Sequence, residues 1–271
     1  MSSSALSGDA LTHRVRVWDA PLRAFHWLLL AAVAAAIATG LLGGEWMVWH
    51  GRAGIAIVGL IAFRLAWGVL GSETARFAQF LPGPGALWAY LKGRWQGIGH
   101  NPLGALSVVA LLGLLAAQVG TGLFSNDDIA FAGPLSARVD EELVQSLTGW
   151  HHRLVNGLYA LIALHVGAIG FYAVVKRLRL VPAMVTGWQE VPRSQLGPRP
   201  AHAGAFAVAL SLALLAGYAA SGEWQNGLQS APSTSATSVT APTSDASAQA
   251  AQPGSAAASA SSGTATAAPA W

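Results

Sequence analysis

The chain contains no cysteine. Disulfides, Cys-ligated zinc, iron–sulfur clusters and C-x-x-C-H haem attachment are therefore excluded. Charge is the second shortage. Lys and Arg total 15 and Asp and Glu total 12, so 10% of the 271 residues are charged, against roughly 25% in an ordinary soluble domain. With 53% of residues hydrophobic, the polar surface of a soluble globular enzyme is missing. The pI near 9.7 does not indicate a nucleic-acid partner here. So few charges read instead as basic loops facing anionic membrane lipid.

What is abundant is long uncharged sequence. A helix needs about 20 apolar residues to cross a bilayer, and five runs qualify: 24–44, 53–71, 103–124, 154–175 and 202–222. Arg64 is the single formal charge inside them. Trp18, Trp27, Trp46, Trp49, Trp67, Trp95, Trp150 and Trp224 sit near the run ends, as in an interfacial aromatic belt. The first run is not a cleavable signal, because the pattern continues through four more spans.

The loops alternate in charge. The N-terminal segment, 72–100 and 176–200 carry 11 of the 15 basic residues; the opposite side carries 8 of the 12 acids. Lys and Arg favour the cytoplasmic side, so a cytoplasmic N-terminus and an outer C-terminus are expected. Residues 225–271 are dominated by Ala, Ser, Thr, Pro, Gly and Gln, with Asp245 the only charge. Such a segment cannot bury enough apolar surface to offset chain entropy; it is expected to be disordered. No internal repeat is expected.

Ionisable or ligating residues inside a membrane are functional candidates by default. The eight histidines sort by depth. His26 lies near the inner end of the first span and His50 at the outer start of the second. His151 and His152 open the fourth span, and His165 lies 14 residues after His151. Fourteen residues at about 100° each close to within about 40° of four turns, so His151 and His165 share a face roughly 21 Å apart. Two ligands at two depths want two partners, which pairs His50 with His151 and His26 with His165. A one-residue shift would exchange His151 for His152. His13, His100 and His202 read as flanks.

Paired histidines across facing helices suit a haem held without covalent attachment. Zinc, the rival, wants four ligands, and each of these sites offers two. Arg64 is 14 residues after His50 and shares its face at the inner depth; it would pair with haem propionates or snorkel to the interface. Gly40 is 14 residues after His26 and would let a macrocycle approach the backbone or serve close helix packing. Arg52 and Arg153 read as outer anchors or anion contacts, and Asp127 and Asp128 as a solvated loop or a docking surface. Arg23 and Trp27 are the weaker inner-side candidates.

These residues resemble the bacterial cytochrome b561 / nickel-hydrogenase b-type cytochrome family. The likeness is carried by Arg16-Val-Trp-Asp-Ala-Pro-Leu-Arg-Ala-Phe-His26-Trp and by His50 with Gly54. It continues in Ala62-Phe-Arg64-Leu-Ala-Trp-Gly68, Gly99-His-Asn-Pro102 and Thr121-Gly-Leu-Phe-Ser-Asn-Asp-Asp128. Gly133-Pro-Leu, His151 to His165 with Asn156 between, and Ala183-Met-Val-Thr-Gly187 complete it. The resemblance implies an all-α membrane protein: a four-helix dihaem bundle at 24–188, preceded by a cytoplasmic segment at 1–23. The linker and fifth transmembrane helix at 189–224 and the tail at 225–271 depart from that pattern. It implies that His26, His50, His151 and His165 are axial ligands of two haem b groups. It further implies electron transfer across a bacterial inner membrane. The partner would be an outer-side hydrogenase, dehydrogenase or c-type cytochrome, and the other end would meet the respiratory quinone pool, with ubiquinone as one acceptor. Some members instead oxidise superoxide to reduce ubiquinone. The rival from another class is a haem-free anchor subunit or metal-ion transporter.

Overall fold

The structure, a computed structural model, describes residues 12–95, 97–129, 131–178 and 180–225. The tail expected to be disordered lies, from residue 226 on, outside the described residues. Five described helices are long and apolar enough to cross a membrane: α1 (Ala20–Leu42), α2 (Met47–Leu70), α5 (Pro102–Gly122), α6 (Glu141–Val174) and α8 (Ala203–Ser221). Short helices α3 (Phe77–Phe80), α4 (Pro84–Leu91) and α7 (Leu180–Thr186) lie in the loops.

Capping residues move the helix starts outward from the apolar runs. The Asp19 carboxylate accepts from the Leu22 amide at 2.7 Å, with Pro21 in the first turn. The Asn101 side chain accepts from Gly104 at 2.8 Å ahead of Pro102. Asp140 accepts from Leu143 at 2.8 Å, and Glu141 and Glu142 follow in the first turn of α6, where the helix dipole favours negative charge. Each cap satisfies an amide that the helix cannot. The cap at Asp140 gives α6 34 residues, roughly 51 Å at 1.5 Å per residue. That exceeds a hydrocarbon core of about 30 Å, so the first turns of α6 project beyond the apolar run.

α1 packs on α2, and α5 on α6, and the two pairs meet where α2 touches α5. Ile57, Ile61, Leu115 and Leu158 form the buried seam there. α8 packs along the other side of α2. A Cβ on Gly59 would lie 3.1 Å from the Ala213 carbonyl, so the small residue sets the close approach of α8. Phe206 of α8 meets Phe63 and Trp67 edge-on, each at 6.1 Å. The fifth helix is thus built into the bundle through α2.

The all-α expectation misses one element. β1 (Thr12–Arg16) pairs antiparallel with β2 (Trp188–Pro192), Arg14 opposite Glu190. Val15 and Val191 point inward, 6% and 3% exposed, the period-two pattern of a strand over a core. Arg14 and Arg16 lie over the Trp188 ring at 6.0 and 5.4 Å. This sheet closes the end of the bundle that carries most of the basic residues, called the basic end below; the other is the acidic end.

Asp19 also ties that end together. Its carboxylate accepts from Trp67 Nε1 at 3.0 Å and Ser72 Oγ at 2.5 Å. Losing a helix cap costs about 1 kcal/mol, and each hydrogen bond adds about 1 kcal/mol. Asp19→Ala is expected to cost about 2–3 kcal/mol in total, read as a lower thermal midpoint in detergent. An unchanged midpoint would show the network to be stability-neutral.

Candidate functional site

At the acidic end, His50 of α2 and His151 of α6 face each other. Their ring centroids are 6.0 Å apart and their planes cross at 86°. His50 Nδ1–H donates to the Ala36 carbonyl of α1 at 2.8 Å. His151 Nδ1–H donates to the Gln118 carbonyl of α5 at 2.9 Å. A carbonyl can only accept, so both protons sit on Nδ1 and both Nε2 atoms are bare. A metal-ligating histidine characteristically gives its other N–H to such a carbonyl. The Gln118 amide nitrogen lies 3.2 Å from His151 Nε2.

The spacing tests the fit to a metal. With a metal–nitrogen bond of about 2.0 Å and each ring nitrogen about 1.1 Å from its centroid, two axial imidazoles have centroids about 6 Å apart. The observed 6.0 Å matches that. No group of three or more His, Cys, Asp or Glu positioned for a metal ion occurs among the described residues. Two histidines alone suit a macrocycle that brings its own four nitrogens and not a zinc ion.

The two halves of this site resemble one another in two short motifs. Ala35-Ala-Ile-Ala-Thr-Gly40 on α1 matches Ala117-Gln-Val-Gly-Thr-Gly122 on α5. Trp49-His-Gly-Arg52 on α2 matches Trp150-His-His-Arg153 on α6. The contacts repeat as well. Thr39 Oγ1 donates to the Ala35 and Ala36 carbonyls, and Thr121 Oγ1 to those of Ala117 and Gln118. Gly40 lies under the His50 ring and Gly122 under the His151 ring; added Cβ atoms would come within 2.9 and 2.8 Å of them. Arg52 lies over Trp49 at 4.8 Å, and Arg153 over Trp150 at 5.5 Å. Short motifs separated by unlike spacers escaped a reading made along the chain.

At the basic end, His26 of α1 and His165 of α6 are close enough to interact electrostatically. His26 Nδ1 is buried without a hydrogen-bond partner, and the ring lies 5.2 Å from Trp27. The likeness does not extend here. Fourteen residues after the paired histidines, α6 carries His165 and α2 carries Arg64. Among the described residues, the basic end therefore combines His26 and His165 with the buried cation Arg64.

The family model for prokaryotic cytochrome b561 matches residues 17–187. The chain belongs to the prokaryotic cytochrome b561 family. It is accordingly a multi-pass membrane b-type cytochrome that transfers electrons and carries haem b. Two curated relatives are each named "Probable Ni/Fe-hydrogenase B-type cytochrome subunit". That of Azotobacter chroococcum mcd 1 is 25% identical, covering 65% of this chain and 88% of the relative. That of Azotobacter vinelandii is 24% identical, with the same coverage. No solved structure matches.

Other candidate residues of this b561 family member take more specific places. His152 is exposed, 6.2 Å from His151, so His151 is the one facing His50. Beside Gly40, open to a macrocycle or to close helix packing in the sequence, lies the His50 ring. Arg64 is 2% exposed, donates to the Ala75 carbonyl at 3.0 Å, and lies over Phe77 at 4.6 Å. Its guanidinium is thereby tied to the loop after α2. Arg23 Nη1 donates to the Val185 carbonyl, and Trp27 is 39% exposed. Arg52 and Arg153 rest on tryptophan faces as interface anchors. The Asp127 carboxylate accepts from the Ile129 and Phe131 amides at 3.0 and 2.8 Å, shaping a loop whose Phe131 lies against Gly51.

His100 read as an interfacial flank, yet its ring packs 4.6 Å from Trp18 and 4.5 Å from Phe80. Burial and the nearby Arg64 cation push its pKa down to about 3, so it is neutral at physiological pH. Its neighbours come from three separate segments, which no local pattern reveals.

Proposed function

We propose that this chain is a dihaem conduit across the bacterial inner membrane, passing electrons between a redox protein at the acidic end and quinone at the basic end. His50 and His151 are the axial ligands of one haem b, and His26 and His165 of the other. The observation that carries the reading is the His50–His151 pair, at axial-ligand spacing with both Nδ1–H groups given to carbonyls. The lower ligand pair rests on shared helix faces and electrostatic proximity.

Haem, when bound, supplies reversible one-electron chemistry at its iron. The residues do the rest. Two histidines per site would hold the haem, which would then supply electron transfer and not chemistry on a metal-bound substrate. The Ala36 and Gln118 carbonyls hold the rings in the ligating tautomer. His151 and His165, roughly 21 Å apart along α6, would hold haem at two levels of the hydrocarbon core. The Lys/Arg bias supports a cytoplasmic basic end and N-terminus. The names of the two relatives support a hydrogenase as the acidic-end partner.

The purified protein reduced with dithionite is expected to show a b-type α-band, and pyridine haemochrome to give about two haems per chain. No α-band would overturn the reading in favour of a haem-free anchor or transporter. One haem per chain would retain the cytochrome and remove the transmembrane relay.

A further inference from the structure

The family match ends at residue 187, so α8 and the residues after it lie outside the four-helix pattern. Where α8 ends, the chain turns back onto the bundle. Gly222 is buried with φ +71°, and a Cβ there would stand 2.6 Å from the Pro134 carbonyl oxygen. That backbone conformation and that close approach both call for glycine. Gln225 Nε2 donates to the same carbonyl at 3.3 Å, and Gln225 Oε1 accepts from Arg138 Nε at 3.1 Å. The Arg138 guanidinium lies over the Trp224 ring at 4.4 Å. The end of α8 thus clamps the loop between α5 and α6 at two points, Pro134 and Arg138.

That loop touches α2, α5 and α6 beside the His50–His151 pair. Phe131 packs on Gly51, the neighbour of His50, where an added Cβ would meet its ring at 3.1 Å. The Leu135 amide donates to the Leu123 carbonyl at 2.9 Å, and the Gly133 amide to that of Ser125 at 2.7 Å. An added Cβ on Gly133 would lie 2.7 Å from the carbonyl oxygen of Gly122, the residue under the His151 ring. The Asn126 amide donates to Thr148 Oγ1 of α6 at 3.2 Å, three residues before His151. The loop therefore roofs the pair on its acidic-end side.

Little apolar burial holds the outer surface of this roof. Asp127, Asp128 and Arg138 are exposed, and Ile129 is 91% exposed. A loop with so few buried contacts opens at low cost unless something else fixes it. The end of α8 is that fixture, and α8 is itself seated on α2, the helix that carries His50, through Gly59 and Phe206.

We propose that α8 is a brace: Gly222, Trp224 and Gln225 hold residues 131–138 closed over the His50–His151 site and keep water out of it. They are positioning residues, acting through Phe131 and Gly133 on the two ligand seats. The proposal rests on the reading of this pair as haem ligands. A ferric haem carries one more positive charge than a ferrous one. Charge is disfavoured in a dry site, so a closed roof raises the potential and an open one lowers it.

The test uses the full chain in lipid nanodiscs and the double variant Trp224→Ala with Gln225→Ala, which removes the cation–π contact and both side-chain hydrogen bonds. Hydrogen–deuterium exchange of amides within 131–138 is expected to quicken about thirtyfold. The haem component that disappears in His50→Ala is expected to move about threefold toward the ferric form, a midpoint about 30 mV lower. The other component should stay where it is. Trp224→Phe, which keeps a ring face for Arg138, is expected to behave as the unaltered chain does. Leu214→Ala, on the exposed face of α8, should change neither reading. Unchanged exchange in the double variant, faster exchange with an unmoved potential, or an equal shift of both components overturns the proposal. If the double variant does not assemble, Trp224→Ala alone is read, and unchanged exchange and potential there overturn it. The two readings fail separately. A haem-free chain whose loop still exchanges faster in the variant sinks the haem assignment and keeps the brace; a haem-loaded chain with unmoved exchange does the reverse.

Discussion

His50→Ala is expected to halve the haem content, from about two per chain to about one. In the proposed conduit this imidazole is one of the two ligands of the acidic-end haem, and its partner His151 cannot ligate from both sides. Removing it leaves Gly40 and the Ala36 carbonyl facing a void at the ring's position. His151→Ala is expected to match it, because the two histidines face each other across one site. His152→Ala is the control: that ring is exposed, and the variant should keep both haems. Pyridine haemochrome measures the ratio, and a redox titration of the α-band should show one surviving component in His50→Ala. Retention of both haems there would sink the pairing. Loss of haem in His152→Ala, with His151→Ala intact, would mean that the register is one residue off.

The span count and the facing of His50 and His151 were both legible along the chain, for different reasons. Spans depend on runs of apolar residues, which are local. The facing follows from the spacing of 14 between His151 and His165, which helix geometry converts into two depths, with His50 at the outer one. Helix ends were less legible, because caps such as Asp19 and Asp140 lie outside the apolar runs. The β1–β2 sheet was missed because its strands are five residues each and 171 residues apart by their paired ends, Arg16 and Trp188 counted inward.

The seats under the ligands were the least legible part. Gly40 shares a helical phase with His26, but its neighbour across the helix pair is His50. Gly122 has no such phase partner and stands in the sequence only as part of a family motif. Arg64 illustrates the same limit. Its depth and face follow from the spacing, whereas its partners Ala75, Phe77 and Phe80 belong to a loop that folds back over α2. Tertiary contacts of that kind have no period to detect.

Gly40→Val and Gly122→Val are expected to lose the acidic-end haem, each leaving about one haem per chain. A Cβ at Gly40 would stand 2.9 Å from His50 Nδ1, and one at Gly122 would stand 2.8 Å from His151 Cε1. The rings have little freedom to retreat, since each Nδ1–H is bonded to a carbonyl four residues earlier on the glycine's own helix. Overpacking costs about 1–3 kcal/mol, and displacing the ring breaks the bond that sets its tautomer. Alanine brings the same Cβ contact without valine's two further methyl groups, so Gly40→Ala and Gly122→Ala are expected to lose less haem than valine and to shift the low-temperature spectrum or midpoint potential of what remains. Gly113 and Gly120 lie on α5 with nothing within 4 Å of an added Cβ. Alanine there should leave the haems alone and, by helix propensity, stabilise by up to about 1 kcal/mol. The likeness of the two halves makes the test sharper than either variant alone. If one glycine tolerates valine with both haems intact and the other does not, the two halves of the site are not equivalent, and the likeness of Ala35–Gly40 to Ala117–Gly122 has no bearing on ligand seating.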